Sequence, residues 1–111
     1  MDLKNNKCVP CEGGVAPLTG QEIEQYCKEV VGWSPVGEKE IQKEFIFKTF
    51  RPAIAFVNRV AEIAEAEGHH PDIAIHYNRV ILSFTTHAIG GLSNNDFIMA
   101  AKIDELPFSS D

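Results

Sequence analysis

Glu65-Ala66-Glu67-Gly68-His69-His70-Pro71-Asp72 is the stretch on which the fold turns. A long helix-like run ends at Gly68, which suits the left-handed residue that follows a helix C-terminus. Pro71 cannot continue a helix, and it pushes His70 towards an extended backbone. His69 and His70 are therefore expected on a tight, stiff corner where a helix gives way to a strand, with their rings pointing in different directions. The histidines of the chain lie at 69, 70, 76 and 87. Histidine is the side chain whose unperturbed pKa lies near neutrality, so such a cluster suits proton transfer.

Upstream of the corner, Arg51-Pro52 opens a helix that runs to about residue 67, with Pro52 suited to the first turn. Ile54, Val57, Ala61 and Ala64 form one apolar stripe and Phe56, Val60 and Ile63 another. So wide a surface needs cover from a sheet or a second subunit. Glu62, Glu65 and Glu67 gather at the C-terminal end, where the helix dipole favours cations. Glu65, four residues before His69, is within reach of the histidine pair; Glu62 and Glu67 read as a solvated acidic face. Downstream, Ile73, Ile75 and Tyr77 alternate with Ala74 and His76, and Asn78-Arg79 marks a tight turn. Residues 79 to 86 then alternate again, with Val80, Leu82 and Phe84 on one face. This hairpin carries Thr86 and His87 to a strand end, while His76 reads as structural or surface.

Residues 1 to 17 hold Pro10, Gly13-Gly14 and Pro17 without periodicity and read as an arm. Thr19 and Glu22 form a capping-box pattern, with Leu18 and Ile23 as a hydrophobic staple. Ile23, Tyr26, Cys27 and Val30 then recur at helical spacing up to Gly32. After the short extended piece around Trp33, a strand is expected over residues 38 to 49, with Ile41, Lys43, Phe45 and Phe47 on one face. Trp33 is expected at the edge of the core. Beyond His87, Ala88-Ile89-Gly90-Gly91-Leu92 reads as a loop. Ser93 and Asp96 then make a second capping box for a helix over residues 94 to 106, closed by Pro107. The order α-β-β-α-β-β-α predicts an α+β fold: an antiparallel four-stranded sheet with helices packed on one face. It forms one domain over residues 18 to 111, behind the arm of residues 1 to 17.

The net charge of −6 argues against non-specific binding to nucleic acid or an anionic membrane. The sequence has no apolar run of transmembrane length and no signal-peptide core at its start, so the cytoplasm is the default location. Three cysteines, an odd count, argue against a disulfide framework. Cys8-Val9-Pro10-Cys11 has metal or redox spacing but no second pair, and it reads as two reduced thiols in a polar arm.

The series Glu65, His69-His70-Pro71, Tyr77, His87 and Asp96 resembles the signature of the pterin-4a-carbinolamine dehydratase family, over roughly residues 18 to 106. Ile73 departs from it, since an aromatic is common two residues after the proline. The resemblance implies a hydro-lyase that dehydrates 4a-hydroxytetrahydrobiopterin to quinonoid dihydropterin in tetrahydrobiopterin recycling, with no cofactor and no metal. It implies His69, His70 and His87 as catalytic residues. Glu65, Pro71, Thr86, Ala88, Ile89 and Asp96 would bind substrate, Glu65 and Asp96 by orienting the histidines. It further implies a homo-oligomer, dimer or tetramer, with a small-molecule pterin as partner and no direct contact with nucleic acid or membrane. Two other readings stay open: a non-catalytic dimerisation partner, and a role in another pterin pathway such as molybdopterin metabolism. A zinc site built on these histidines would have to use His69 and His70 together, and adjacent ligands on one turn compete geometrically.

Overall fold

The computed structural model describes residues 2–9 and 15–107. Pro10, Cys11 and Gly13-Gly14 of the expected arm, and the tail beyond Pro107, lie outside the described residues. After a single 3-10 turn at Leu3–Asn5, the elements are α1 (Gly20–Cys27), β1 (Ser34–Val36), β2 (Glu40–Ile46), α2 (Phe50–Glu67), β3 (Asp72–His76), β4 (Arg79–Phe84), a 3-10 turn at His87–Ile89, and α3 (Asn94–Asp104). The strands form one antiparallel sheet in the order β1-β2-β4-β3. β4 therefore lies between β2 and β3, and its C-terminal end stands in the middle of the sheet. The fold is α+β, as the sequence predicts.

Both expected capping boxes form. Thr19 closes one with Glu22 at the start of α1, and Ser93 closes the other with Asp96 at the start of α3. The core fills the space between sheet and helices. Ile41 and Phe45 of β2 and Val80, Leu82 and Phe84 of β4 meet Ala53, Phe56, Val60 and Ala64 of α2 and Phe97, Ala100 and Ile103 of α3. Register places Ile41 opposite Phe84 and Phe45 opposite Val80, so one face of the central strands is continuously apolar.

Several details differ from the sequence reading. The stripe of α2 that faces the sheet is Ala53-Phe56-Val60-Ala64; Ile54 is only half-buried and Ala61 is exposed. Two overlapping stripes were available, and the shorter Ala53 side chain permits the closer approach. α1 stops at Cys27, well before Gly32. The hairpin turn is centred on Tyr77 and Asn78, because Arg79 already pairs with β2 and β3, and Tyr77 takes a left-handed φ of 55°. Asn78 pins the turn to β2: its side-chain amide donates to the Phe47 carbonyl at 2.8 Å, and Phe47 N–H donates to the Asn78 carbonyl at 2.8 Å. Glu67 is no solvated acid. Its carboxylate accepts from Cys8 N–H at 2.8 Å and lies 3.8 Å from Lys102. Residues 2–9 lie against the body, with Leu3 buried in the core and Lys102 Nζ donating to the Lys4 carbonyl at 2.9 Å.

The corner itself follows from backbone chemistry. Gly68 ends α2 in the left-handed region, φ 69°, with its N–H on the Ala64 carbonyl at 2.8 Å. Space around a Cβ at this position is open, so the cost of substitution is conformational. Gly68→Ala is expected to destabilise the protein by about 1–2 kcal/mol, and Gly68→Asn by less. Denaturant titration of the two variants checks the order; equal stability of wild type and Gly68→Ala would mean that the corner does not depend on the glycine.

Candidate active site

His69 leaves the end of α2 and packs its ring parallel to that of Phe84, the last residue of β4, with centroids 5.9 Å apart. Its Nε2 lies 2.6 Å from Asp96 Oδ1. Asp96 is fully buried at the start of α3. Its other oxygen, Oδ2, accepts from the Thr86 hydroxyl at 2.8 Å and from Ser93 N–H at 2.9 Å. A carboxylate ringed by three donors acts only as acceptor, so His69 donates through Nε2 and keeps Nδ1 for a ligand. Thr86 spends its proton on Asp96. The 2.8 Å contact between the Thr86 and Ser93 hydroxyls is therefore donated by Ser93.

His70 stands next along the corner, with Nε2 2.5 Å from Glu65 Oε2. Glu65 thus reaches the histidine pair through His70. Both side chains are largely exposed, at 58% and 78%, so this pair holds a ring orientation and adds little to stability. His87 begins the 3-10 turn after β4 and is exposed, and its ring has no hydrogen-bond partner among the described residues.

These groups surround a cavity of about 430 Å³ lined by His69, His70, Thr86, His87 and Ala88, together with Cys8, Val9, Glu67, Gly68, Thr85 and Asn95. Small-molecule pockets run to roughly 300–1,000 Å³, so the size suits a compact ligand. Of the residues named from the sequence, the three histidines, Thr86 and Ala88 line the cavity. Glu65 and Asp96 stand behind the histidines they bond. Pro71 and Ile89, both half-buried, are not in the lining. Ile73 lies on β3 opposite Leu82, also outside it. Sequence reasoning missed Cys8, Val9, Glu67 and Asn95. Only an acid without a dipole rationale at 67 hinted at one of them.

The family model for "Pterin 4 alpha carbinolamine dehydratase" matches residues 16–106. The chain belongs to that family. A relative from Nitrosospira multiformis is 53% identical over 105 residues, covering 95% of this chain and 92% of its own. One from Rubrobacter xylanophilus is 46% identical over 105 residues, covering 95% and 98%. Each carries the name "Putative pterin-4-alpha-carbinolamine dehydratase". A crystal structure described as a transcriptional coactivator/pterin dehydratase from Brucella melitensis superposes with a TM-score of 0.76 at 35% identity, covering 79% of this chain and 95% of that one. In this member of the dehydratase family, Cys8 and Val9 line the cavity from outside the span that the family model matches.

Asp96→Asn tests the tautomer argument. The amide would set an N–H₂ against one of three existing donors, so His69 is expected to exchange its Nε2 proton for one on Nδ1. Stability should fall by about 1–3 kcal/mol, because charge-assisted bonds to the carboxylate are replaced by neutral ones. Nitrogen chemical shifts of labelled histidine would report the exchange, and an unchanged His69 spectrum would refute the assignment.

Proposed function

We propose that this chain dehydrates 4a-hydroxytetrahydrobiopterin to quinonoid dihydropterin by histidine acid–base catalysis, supporting tetrahydrobiopterin recycling. The observation that carries the proposal is the convergence of three imidazoles on one cavity, with His69 and His70 each tied through Nε2 to a carboxylate. Family membership and the names of the relatives support the reaction class.

In the reaction a proton reaches the C4a hydroxyl, the C4a–O bond breaks and water leaves. N5 gives up its proton, and the electron pair of that N–H bond becomes the N5=C4a double bond. Proton delivery and removal are all that the step requires, and groups titrating near neutrality serve both. His87 or His70 is the proposed acid, since both rings are exposed and adaptable. His69, fixed against Asp96 and Phe84, is the proposed binding partner for the ring, with Thr86 and Ala88 framing the pocket. Glu65 and Asp96 orient the histidines, and Pro71 and Ile89 shape the corner and turn that carry them.

The proposal extends to a homotetramer, as the family resemblance implies, with the cytoplasm as its default location. No helix among the described residues is long and apolar enough to cross a membrane. Ile46, Phe50, Ile73, Ile75 and Tyr77 are large apolar side chains left exposed on the single chain, and most of them lie on or beside edge strand β3. That surface also keeps a partner-binding role in view, since the Brucella melitensis protein is described as a transcriptional coactivator as well as a dehydratase. The same catalysis could serve another pterin pathway.

Replacing His69, His70 and His87 singly with alanine should lower carbinolamine dehydration by about 10²-fold or more for the acid or base. Sedimentation of each variant should stay as in the wild type. Full activity in all three variants would remove the assignment, and unchanged activity with lost assembly would favour the partner reading.

A further inference from the structure

We infer that Cys8 and Val9 of the N-terminal arm form a wall of the substrate cleft, and that Asn95 is the positioning residue that holds them there. The inference rests on the dehydratase reading of the same cavity. Asn95 is buried at the start of α3. Its side-chain amide grips Val9 at both polar atoms: Oδ1 accepts from Val9 N–H at 3.0 Å, and Nδ2 donates to the Val9 carbonyl at 2.5 Å. This is the two-bond pairing that a neighbouring strand would offer, supplied by one side chain. Asn95 also accepts at its own carbonyl from the Cys8 thiol at 3.7 Å. Glu67 takes the Cys8 N–H, and Lys102 stands between Glu67 and the Lys4 carbonyl.

Three observations point to a ligand. The anchors converge on the two arm residues that line the cavity. Val9 is held in place by a buried amide and stays 64% exposed, so its side chain is accessible to whatever occupies the cavity it lines. The rest of the lining is largely polar, with three histidines, two threonines, Glu67 and Asn95, so Val9 and Cys8 supply apolar surface suited to the flat ring of a pterin.

The test uses the full chain and two variants that attack the same contact from opposite sides. Val9→Pro deletes the arm's donor without touching the core, and Asn95→Leu deletes both partners. Three measurements are made on each: turnover of the carbinolamine, binding of 7,8-dihydrobiopterin followed by its fluorescence, and alkylation of Cys8 by iodoacetamide read by peptide mass spectrometry. Both variants should raise KM and the dihydrobiopterin Kd about tenfold, with kcat within about twofold, since the histidines are untouched. Dihydrobiopterin should slow Cys8 alkylation in the wild type and lose that effect in the variants. Unchanged KM and Kd in both variants, a fall in kcat alone, or Cys8 alkylation indifferent to bound dihydrobiopterin would each overturn the inference. Protection of Cys8 in a wild type that shows no turnover would keep the wall and overturn the dehydratase reading instead.

Discussion

The buried carboxylate of Asp96 is the constraint on which the site depends. An anion out of contact with water is costly unless its oxygens are fully engaged. Here each donor comes from a different piece of the chain: His69 from the corner after α2, Thr86 from the end of β4, and Ser93 from the cap of α3. The positive end of the α3 dipole adds to the same balance. Satisfying one charge therefore fixes three elements against one another. It also sets the proton on a defined nitrogen of His69. The placement of His69 and the helix cap depend on the same carboxylate, so neither can be altered alone.

The three histidines are held with decreasing rigidity. His69 is locked by a buried acid and a parallel phenyl ring; His70 is oriented by an exposed acid; His87 carries no hydrogen bond from its ring among the described residues. That gradient fits the demands of the chemistry. A group that binds a flat ring benefits from a fixed position, whereas a group that passes protons to water or to a leaving oxygen must accept more than one partner. The sheet supports the arrangement by placing the end of β4 centrally, so Phe84, Thr86 and His87 follow a buried strand and not an edge.

What the sequence made legible was local. Gly68 and Pro71 write the corner, Thr19 with Glu22 and Ser93 with Asp96 write the caps, and period-two alternation writes β4. Each of these signals lies within a few residues of its effect. What it hid was long-range. Glu67 looked like surface because its partner, Cys8, lies 59 residues away, and nothing singled out Asn95, whose partner, Val9, lies 86 residues away. The α2 stripe was ambiguous for a related reason. Apolar residues surround most of that helix, and only the sheet it meets decides that Ala53 turns in and Ala61 out.

The division between local and long-range information also separates chemistry from recognition. The proposed proton-transfer groups are set by the corner after α2 and the turn after β4, and the signature residues all fall within the matched family span. The proposed apolar wall comes from a segment outside that span, attached by the buried amide of Asn95 at the start of α3, by Glu67 at the end of α2 and by Lys102 of α3. Changes in the arm can reshape the cleft without disturbing the Asp96 network, because no donor to Asp96 comes from it. A fold arranged in this way would let one wall of the cleft vary while the Asp96 network stays intact.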